Sequence, residues 1–452
     1  MSCTHDIPDE PDNWLENLMP DYSGNSSDKR YPVDVVLPNR IYAVVGDTLQ
    51  LFFRGMIASV NPYNYDILVT CERGKKYPRY FEYVPSKEDI GEIPFSVTLR
   101  DDEGNIMGYD ECVIEVVDKE CTENLHIVTF GDSLTSGGVW CQHADSRLPD
   151  NVVFCGAKDN RGTHYFGVGG WTWASYTTAA RPGLRFFVND VNLLSIGATY
   201  TCDRGYKYTV MEINVTDGAG NVLMMVDNKT CEPGVPSGVL TKTSGGGDSE
   251  LSFTSYTAEC SNPLWDGDKM TFRPYMERYA GGKVDAVYAF MGWNSIQPWQ
   301  TDFSRMMDEV DKFCRTFHAE YPEGRIYLMG LQLPSLNGGI GNSYGATGDG
   351  YADCYGLCIT VLNLNREYER FTEERSGYVE FLNVSCQFDS EYNMPYTDKP
   401  VNKYNPETEQ IGTNGVHPNN YGYYQIGDVV MRSIYAYRTH GASAGVPMLK
   451  TR

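Results

Sequence analysis

Ser133 stands in Gly131-Asp132-Ser133-Leu134, directly after Leu125-His126-Ile127-Val128-Thr129-Phe130, a run that reads as a buried strand. A serine on a strand-to-helix turn at the C-terminal edge of a parallel sheet faces the crevice where such sheets bind ligands. Its hydroxyl is a poor nucleophile alone and a good one beside a base. That base is supplied by His417, in Asn414-Gly415-Val416-His417-Pro418-Asn419, since an imidazole near neutrality takes a serine proton. Two further blocks carry donors suited to a developing oxyanion. Gly167-Val168-Gly169-Gly170-Trp171-Thr172 offers backbone N–H groups at glycines that let a substrate approach closely, and Gly292-Trp293-Asn294-Ser295 offers the neutral amide of Asn294. Each block alone is equally a helix cap or a turn. Gly-Asp-Ser arises by chance in roughly one chain in eight of this length. The related Gly46-Asp47-Thr48 leads into a strand and reads as structural.

The elements around these residues alternate. After 125–130, a second buried-type strand spans Val284 to Met291, a third Ile326 to Leu331 and a fourth Val379 to Val384. Between them, residues 302–318 place Phe303, Met306, Met307, Val310, Phe313, Cys314 and Phe317 on one helical stripe, closed by Tyr321-Pro322-Glu323-Gly324. A helix through Leu357, Val361, Leu364, Tyr368 and Phe371 and a last one from about Asn419 to Tyr437 complete the pattern. Alternating strand and helix predicts an α/β domain, residues 121–440, with a parallel sheet covered on both faces. Residues 183–262 break the alternation with β-type, turn-rich sequence and are read as an inserted β subdomain. Upstream, residues 33–120 carry evenly spaced short strands: 41–45, 49–53, 65–69, 95–99 and 112–117, with a hairpin turn at Asp101-Asp102-Glu103-Gly104. They predict a small Ig-like β-sandwich domain, separable because every chemical block lies beyond it. Residues 1–32 and 441–452 read as tails or linker.

In their order and context the four blocks resemble the SGNH (GDSL-type) hydrolase family, across about 235 residues between Leu125 and Arg438 once the insertion is set aside. The resemblance implies a three-layer α/β/α, flavodoxin-like domain and ester hydrolysis without cofactor or metal. It implies Ser133 as nucleophile, His417 as base, and an oxyanion hole from Ser133, Gly170 and Asn294. Two positions depart from the family pattern. Ser295 stands where an aspartate commonly ends the third block. Asn414 stands where the family has the acid three residues before the histidine, so position 414 keeps a carbonyl oxygen for the imidazole and loses its charge. That leaves a Ser–His dyad, a weakened enzyme, or a substitute among Asp389, Asp398, Glu407 and Glu409.

Trp140, Trp171, Trp173 and Trp293 flank the blocks, where aromatic faces would stack on sugar rings. With the family resemblance they suggest short acyl groups, such as acetyl, on carbohydrate as substrate. A net charge of −23 disfavours nucleic acid and anionic lipid as partners, and no apolar run is long enough to span a membrane. Met1 to Asp6 has neither a basic start nor an apolar stretch, so no signal peptide is expected in this numbering, although an extracellular, cell-surface or virion setting suits the reading better than cytoplasm. None of the thirteen cysteines forms a CxxC pair; Cys354 and Cys358, one helical turn apart without a nearby histidine, read as buried thiols rather than zinc ligands. Gly339, Gly341 and Gly345 miss dinucleotide-loop spacing. The competing expectation is an inactive SGNH scaffold serving as a glycan-binding or surface and virion structural protein, with Asn414 as its support.

Overall fold

The computed structural model describes residues 33–120, 124–178 and 183–437, apart from 204, 206, 215–220, 227–236, 244–249, 258–261, 267–268 and 337–349. The two predicted tails and the 339–345 glycines lie outside the described residues.

Five short parallel strands form the centre: β1 (Leu125–Gly131), β2 (Val152–Cys155), β3 (Ala286–Phe290), β4 (Arg325–Met329) and β5 (Val379–Leu382), in the order β2-β1-β3-β4-β5. Their sequences are near-continuous apolar runs because both faces are covered. Alternate residues of β1 divide the two sides. Thr129 meets Cys141 on α1 (Val139–Asp145), which packs with α4 (Asn420–Ala436). Phe130 packs edge-on against Phe313 of α2 (Ser304–Glu320) at 5.7 Å. The stripe expected for α2 is the buried one: Met306, Val310, Phe313, Cys314 and Phe317. α3 (Gly350–Glu373) joins that side through the Tyr368 hydroxyl, which donates to the Met291 carbonyl and accepts from Trp173 Nε1. Among the described residues, no helix is long and apolar enough to cross a membrane.

The 183–262 insertion is a closed six-stranded antiparallel barrel, filled by Phe186, Tyr200, Tyr208, Val210, Leu240 and Phe253. A barrel leaves no free edge, which suits a β module hung on another fold. A hairpin, Tyr396–Asn402 with Asn405–Gly412, projects between β5 and the His417 loop and is exposed almost throughout.

Upstream, Arg40–Val44, Ile106–Val117, Gly91–Arg100 and Asp66–Thr70 form a four-stranded sheet, its first pair parallel. Leu49–Phe52, Tyr80–Tyr83 and Lys75–Lys76 form a second, three-stranded sheet, and the two share a core that includes Leu51, Phe81, Phe95, Val97 and Ile114. This unit shares core with the rest of the chain. Cys386 is fully buried in its core, and Val36, Tyr42 and Val44 belong to the core of the central sheet. Gly46-Asp47-Thr48 has the structural part expected, with a larger role than a strand turn. Arg432, only 4% exposed, donates from Nε to Asp47 Oδ2 at 2.7 Å and from Nη2 to the Thr48 carbonyl at 2.8 Å. Arg147 takes the other Asp47 oxygen, so two arginines from the α/β domain converge on one buried carboxylate.

Candidate active site

In this strand order the sheet reverses direction of growth between β1 and β3, and Ser133 and Asn294 follow those two strands. Such a switch point opens a crevice at the C-terminal ends of the strands. Ser133 begins a short helix, Ser133–Ser136, capped by Asp132, whose Oδ1 accepts the Leu134 amide at 2.9 Å. His417 Nε2 lies 2.8 Å from Ser133 Oγ, although 284 residues separate them in the chain. Both are part-buried, and burial holds the His417 imidazole below its ordinary value.

The His417 loop is fixed from several directions. Asn414 Oδ1 accepts the amides of Val416 at 3.0 Å and His417 at 2.8 Å, an Asx turn that sets the loop's course. The Ser335 amide donates to the Gly415 carbonyl at 2.9 Å, and Gln332 Nε2 to the Val416 carbonyl at 2.9 Å. Asp389 accepts from Arg79 Nη2 with both oxygens and from the Glu391 and Tyr392 amides with Oδ1, and Asp398, Glu407 and Glu409 lie exposed on the projecting hairpin.

The glycine block runs beside the nucleophile: the Val168 amide donates to the Gly131 carbonyl at 3.0 Å, and a Cβ on Gly169 would lie 3.9 Å from that of Ser133. Gly167 has to be glycine, since a Cβ there would meet Thr135 Cβ at 2.7 Å and the Ser136 amide at 2.9 Å. Gly170 is exposed at the turn with φ +77°. Asn294, also exposed, gives one amide hydrogen to the Trp171 carbonyl at 2.9 Å; Asp132 Oδ2 is 3.4 Å from the same nitrogen. Asp132 itself, noted in sequence only as part of the serine block, is the buried joint between these pieces. Burial pushes its carboxyl up to about 7, against the pull of the Leu134 and Gly292 amides.

The four tryptophans correct the sugar-platform expectation. Trp140 and Trp173 are inside the core, their Nε1 groups donating to Thr135 Oγ1 and the Tyr368 hydroxyl. Trp171, wedged edge-on against Tyr176 and Phe166, and Trp293 are 9% and 7% exposed. Large aromatics beside this crevice complete the core, leaving little face for a ring to stack on. A cleft of about 320 Å³ opens at Ser295, with Thr172, Gln300, Arg305 and Glu309 and the apolar Phe303 and Met306 on its walls. Cys354 and Cys358 are buried, and the described cysteines are free thiols. Among the described residues, no cluster of histidine, cysteine, aspartate and glutamate is grouped to hold a metal ion.

No protein-family model matches this chain, and no curated protein sequence does. Solved structures that align with it include a carbohydrate esterase family 3 protein from Talaromyces cellulolyticus, 11% identical, covering 69% of this chain and 97% of that one at TM-score 0.33. A family two carbohydrate esterase from Cellvibrio japonicus is 11% identical over 90% and 96% of the two chains at TM-score 0.28. The Clostridium thermocellum family two esterase aligns at 10% identity, 87% and 93% coverage and TM-score 0.27. Carbohydrate esterases are thus among the structural neighbours, at scores too low to decide either fold family or chemistry.

Proposed function

We propose that this protein is a serine ester hydrolase of the SGNH type, its 121–440 region a three-layer, flavodoxin-like α/β/α domain. The observation that carries the reading is the 2.8 Å contact of Ser133 Oγ with His417 Nε2 at the switch point of a parallel sheet. His417 takes the hydroxyl proton as Ser133 attacks an ester carbonyl; the tetrahedral oxyanion is met by the Ser133 and Gly170 N–H groups and the Asn294 amide. His417 then returns the proton to the departing alcohol, and water releases the acyl group by the reverse sequence. Asn294 Nδ2 donates to the Trp171 carbonyl at 2.9 Å and, at a longer 3.4 Å, to Asp132 Oδ2, and the second, weaker bond is the one an oxyanion would replace. A short acyl group on carbohydrate is the substrate class we favour, because the cleft beside Ser295 sets hydroxyl, amide and charged groups among apolar Phe303 and Met306, a mixture that suits sugar hydroxyls and the carbon faces between them. Turnover of a chromogenic acetyl ester by the native protein, compared with its Ser133→Ala form, tests the reading.

Asn294→Ala is expected to lower kcat about 10²–10³-fold with KM nearly unchanged, the cost of one oxyanion donor. A variant that melts earlier yet turns over normally would reduce Asn294 to a tie for the Trp171 loop.

Asn414 favours a second reading, a weakened or inactive scaffold, because an amide gives the imidazolium no charge. Asn414→Asp separates the two. A carboxylate oxygen can accept the same Val416 and His417 amides and adds the charge. Base catalysis needs neutral His417, so activity rises as pH climbs through its pKa, and burial sets that limb below the ordinary histidine range. A nearby carboxylate favours imidazolium, so the limb shifts to higher pH in Asn414→Asp while the plateau rises. The gain is bounded by the factor of about 10⁴ lost in the serine-protease aspartate-to-asparagine change. Turnover against pH for both forms is the measurement; an unchanged or lower plateau means that the missing charge is not what limits this site.

A further inference from the structure

Gln332 follows β4 in Leu331-Gln332-Leu333, a single polar residue between two buried leucines. Its own exposure is 0%, and Nε2 donates to the Val416 carbonyl at 2.9 Å, one residue from His417. Its other end is different: Oε1 is buried and has no hydrogen-bond partner among the described residues. A buried amide half of which is unpaired is a poor choice for stability, since the unpaired acceptor has given up water for nothing. An unbranched thioether of similar length would fill the same space without that cost. The retained bond therefore calls for another reason, and its address supplies one. It is the side-chain tie from the sheet to the backbone segment that carries His417.

We infer that Gln332 is a positioning residue: it holds the 415–417 loop to the end of β4 so that His417 Nε2 stays within hydrogen-bond reach of Ser133. The backbone around it is arranged for the task. Asn365 clamps Leu331, Oδ1 accepting its amide at 2.9 Å and Nδ2 donating to its carbonyl at 3.1 Å, so the strand end from which Gln332 extends is anchored to α3. Asn414 ties the loop to itself through two amides and so shapes it internally. Gln332 and the Ser335 amide bond the loop to a separate element, the end of β4. Because Val416 offers a carbonyl, the amide must present nitrogen there, which leaves Oε1 turned away and unpaired. The mismatch follows from the positioning role.

The inference rests on His417 serving as the base of Ser133, and the tests separate it from that reading. Gln332→Met is expected to keep or raise the thermal midpoint, to lower kcat on an acetyl ester at least tenfold, and to leave KM within about twofold, since a displaced base affects proton transfer more than binding. Gln332→Glu adds a pH signature. A protonated carboxyl can donate to the Val416 carbonyl and an ionised one repels it, so activity should fall away as pH rises through the glutamate pKa, where the native protein keeps its plateau. Crystal structures of native and Gln332→Met proteins give the readout that does not depend on turnover: the Ser133 Oγ to His417 Nε2 distance should lengthen and the 415–417 loop should shift. If the native protein hydrolyses no ester, the esterase reading fails, and the crystallographic distance still decides the role of Gln332. Native-like kcat with an unmoved loop in Gln332→Met would overturn the inference, as would a fall in thermal midpoint that accounts for the whole loss of activity.

Discussion

Replacing Ser133 by alanine should abolish ester hydrolysis while the protein stays folded. The side chain is half-buried at the mouth of the crevice, so the change removes one hydroxyl and one 2.8 Å bond without opening a cavity. A stability change of about 0.5 kcal/mol or less is expected of such a site. The loss of turnover should reach about 10⁴–10⁶-fold, the scale on which serine hydrolases lose activity when a member of the catalytic group is removed. His417→Ala should cost nearly as much, and the double variant little more than either alone, because the two groups perform one proton transfer between them. That non-additivity distinguishes a nucleophile and its base from two residues that merely support the site. A Ser133→Ala protein that keeps most of its activity would end the proposal for this serine.

The second large effect is on folding. Asp47→Ala is expected to destabilise the protein by about 3–5 kcal/mol, the usual result of removing one partner of a buried ion pair and leaving the other charged and uncompensated. Here the effect falls mainly on Arg432, because Arg147 keeps the Asp428 carboxylate as a second ionic partner. The Arg432 guanidinium would keep only neutral partners, Gln387 Oε1 and the Thr48 carbonyl. A urea midpoint shift measures the loss. In whatever fraction remains folded, kcat should be unchanged, since Asp47 makes its contacts away from Ser133. A chain begun near Cys121 should fare worse, for it would also uncover Cys386 and the apolar surface that Val36, Tyr42 and Val44 cover. An unshifted urea midpoint in Asp47→Ala, or a soluble, cooperatively folded protein begun near Cys121, would mean that the interface contributes far less than its burial implies.

What was readable in advance followed from periodicity and from local chemistry. The α2 stripe was visible because one face of that helix is buried, and the apolar strands β1, β3, β4 and β5 because both their faces are. The serine, glycine, asparagine and histidine blocks could be placed because each follows a strand end or precedes a helix. Strand β2 was missed: four residues at the sheet edge, with Val153 exposed, differ too little from a loop. The 396–412 hairpin was missed for the opposite reason, since with nearly every residue in water it shows no alternation. The tryptophans were misjudged because an aromatic near a site in sequence can point into the core, and nothing in the one-dimensional pattern gives its direction. Asp47 and Gln332 act through partners 385 and 84 residues away. Their one advance sign was polarity inside an apolar stretch, clearest at Leu331-Gln332-Leu333, and that sign names no partner.

The barrel's attachment has a consequence for how such a module is carried. The chain leaves the α/β domain just after Thr178 and is back by Asn262, whose side-chain amide donates to the carbonyls of Ser175 at 2.9 Å and Tyr176 at 2.6 Å. Trp265 Nε1 adds a bond to the same Tyr176 carbonyl at 3.1 Å. Exit and return are therefore pinned at one point. To the host, the whole insertion is a loop already closed, and closure entropy grows only with the logarithm of loop length. Everything between the pins can change in size, sequence or ligand at almost no thermodynamic expense to the sheet that holds Ser133. Selection on the barrel and selection on the catalytic crevice are in that sense uncoupled, which makes the barrel the part of this chain freest to diverge.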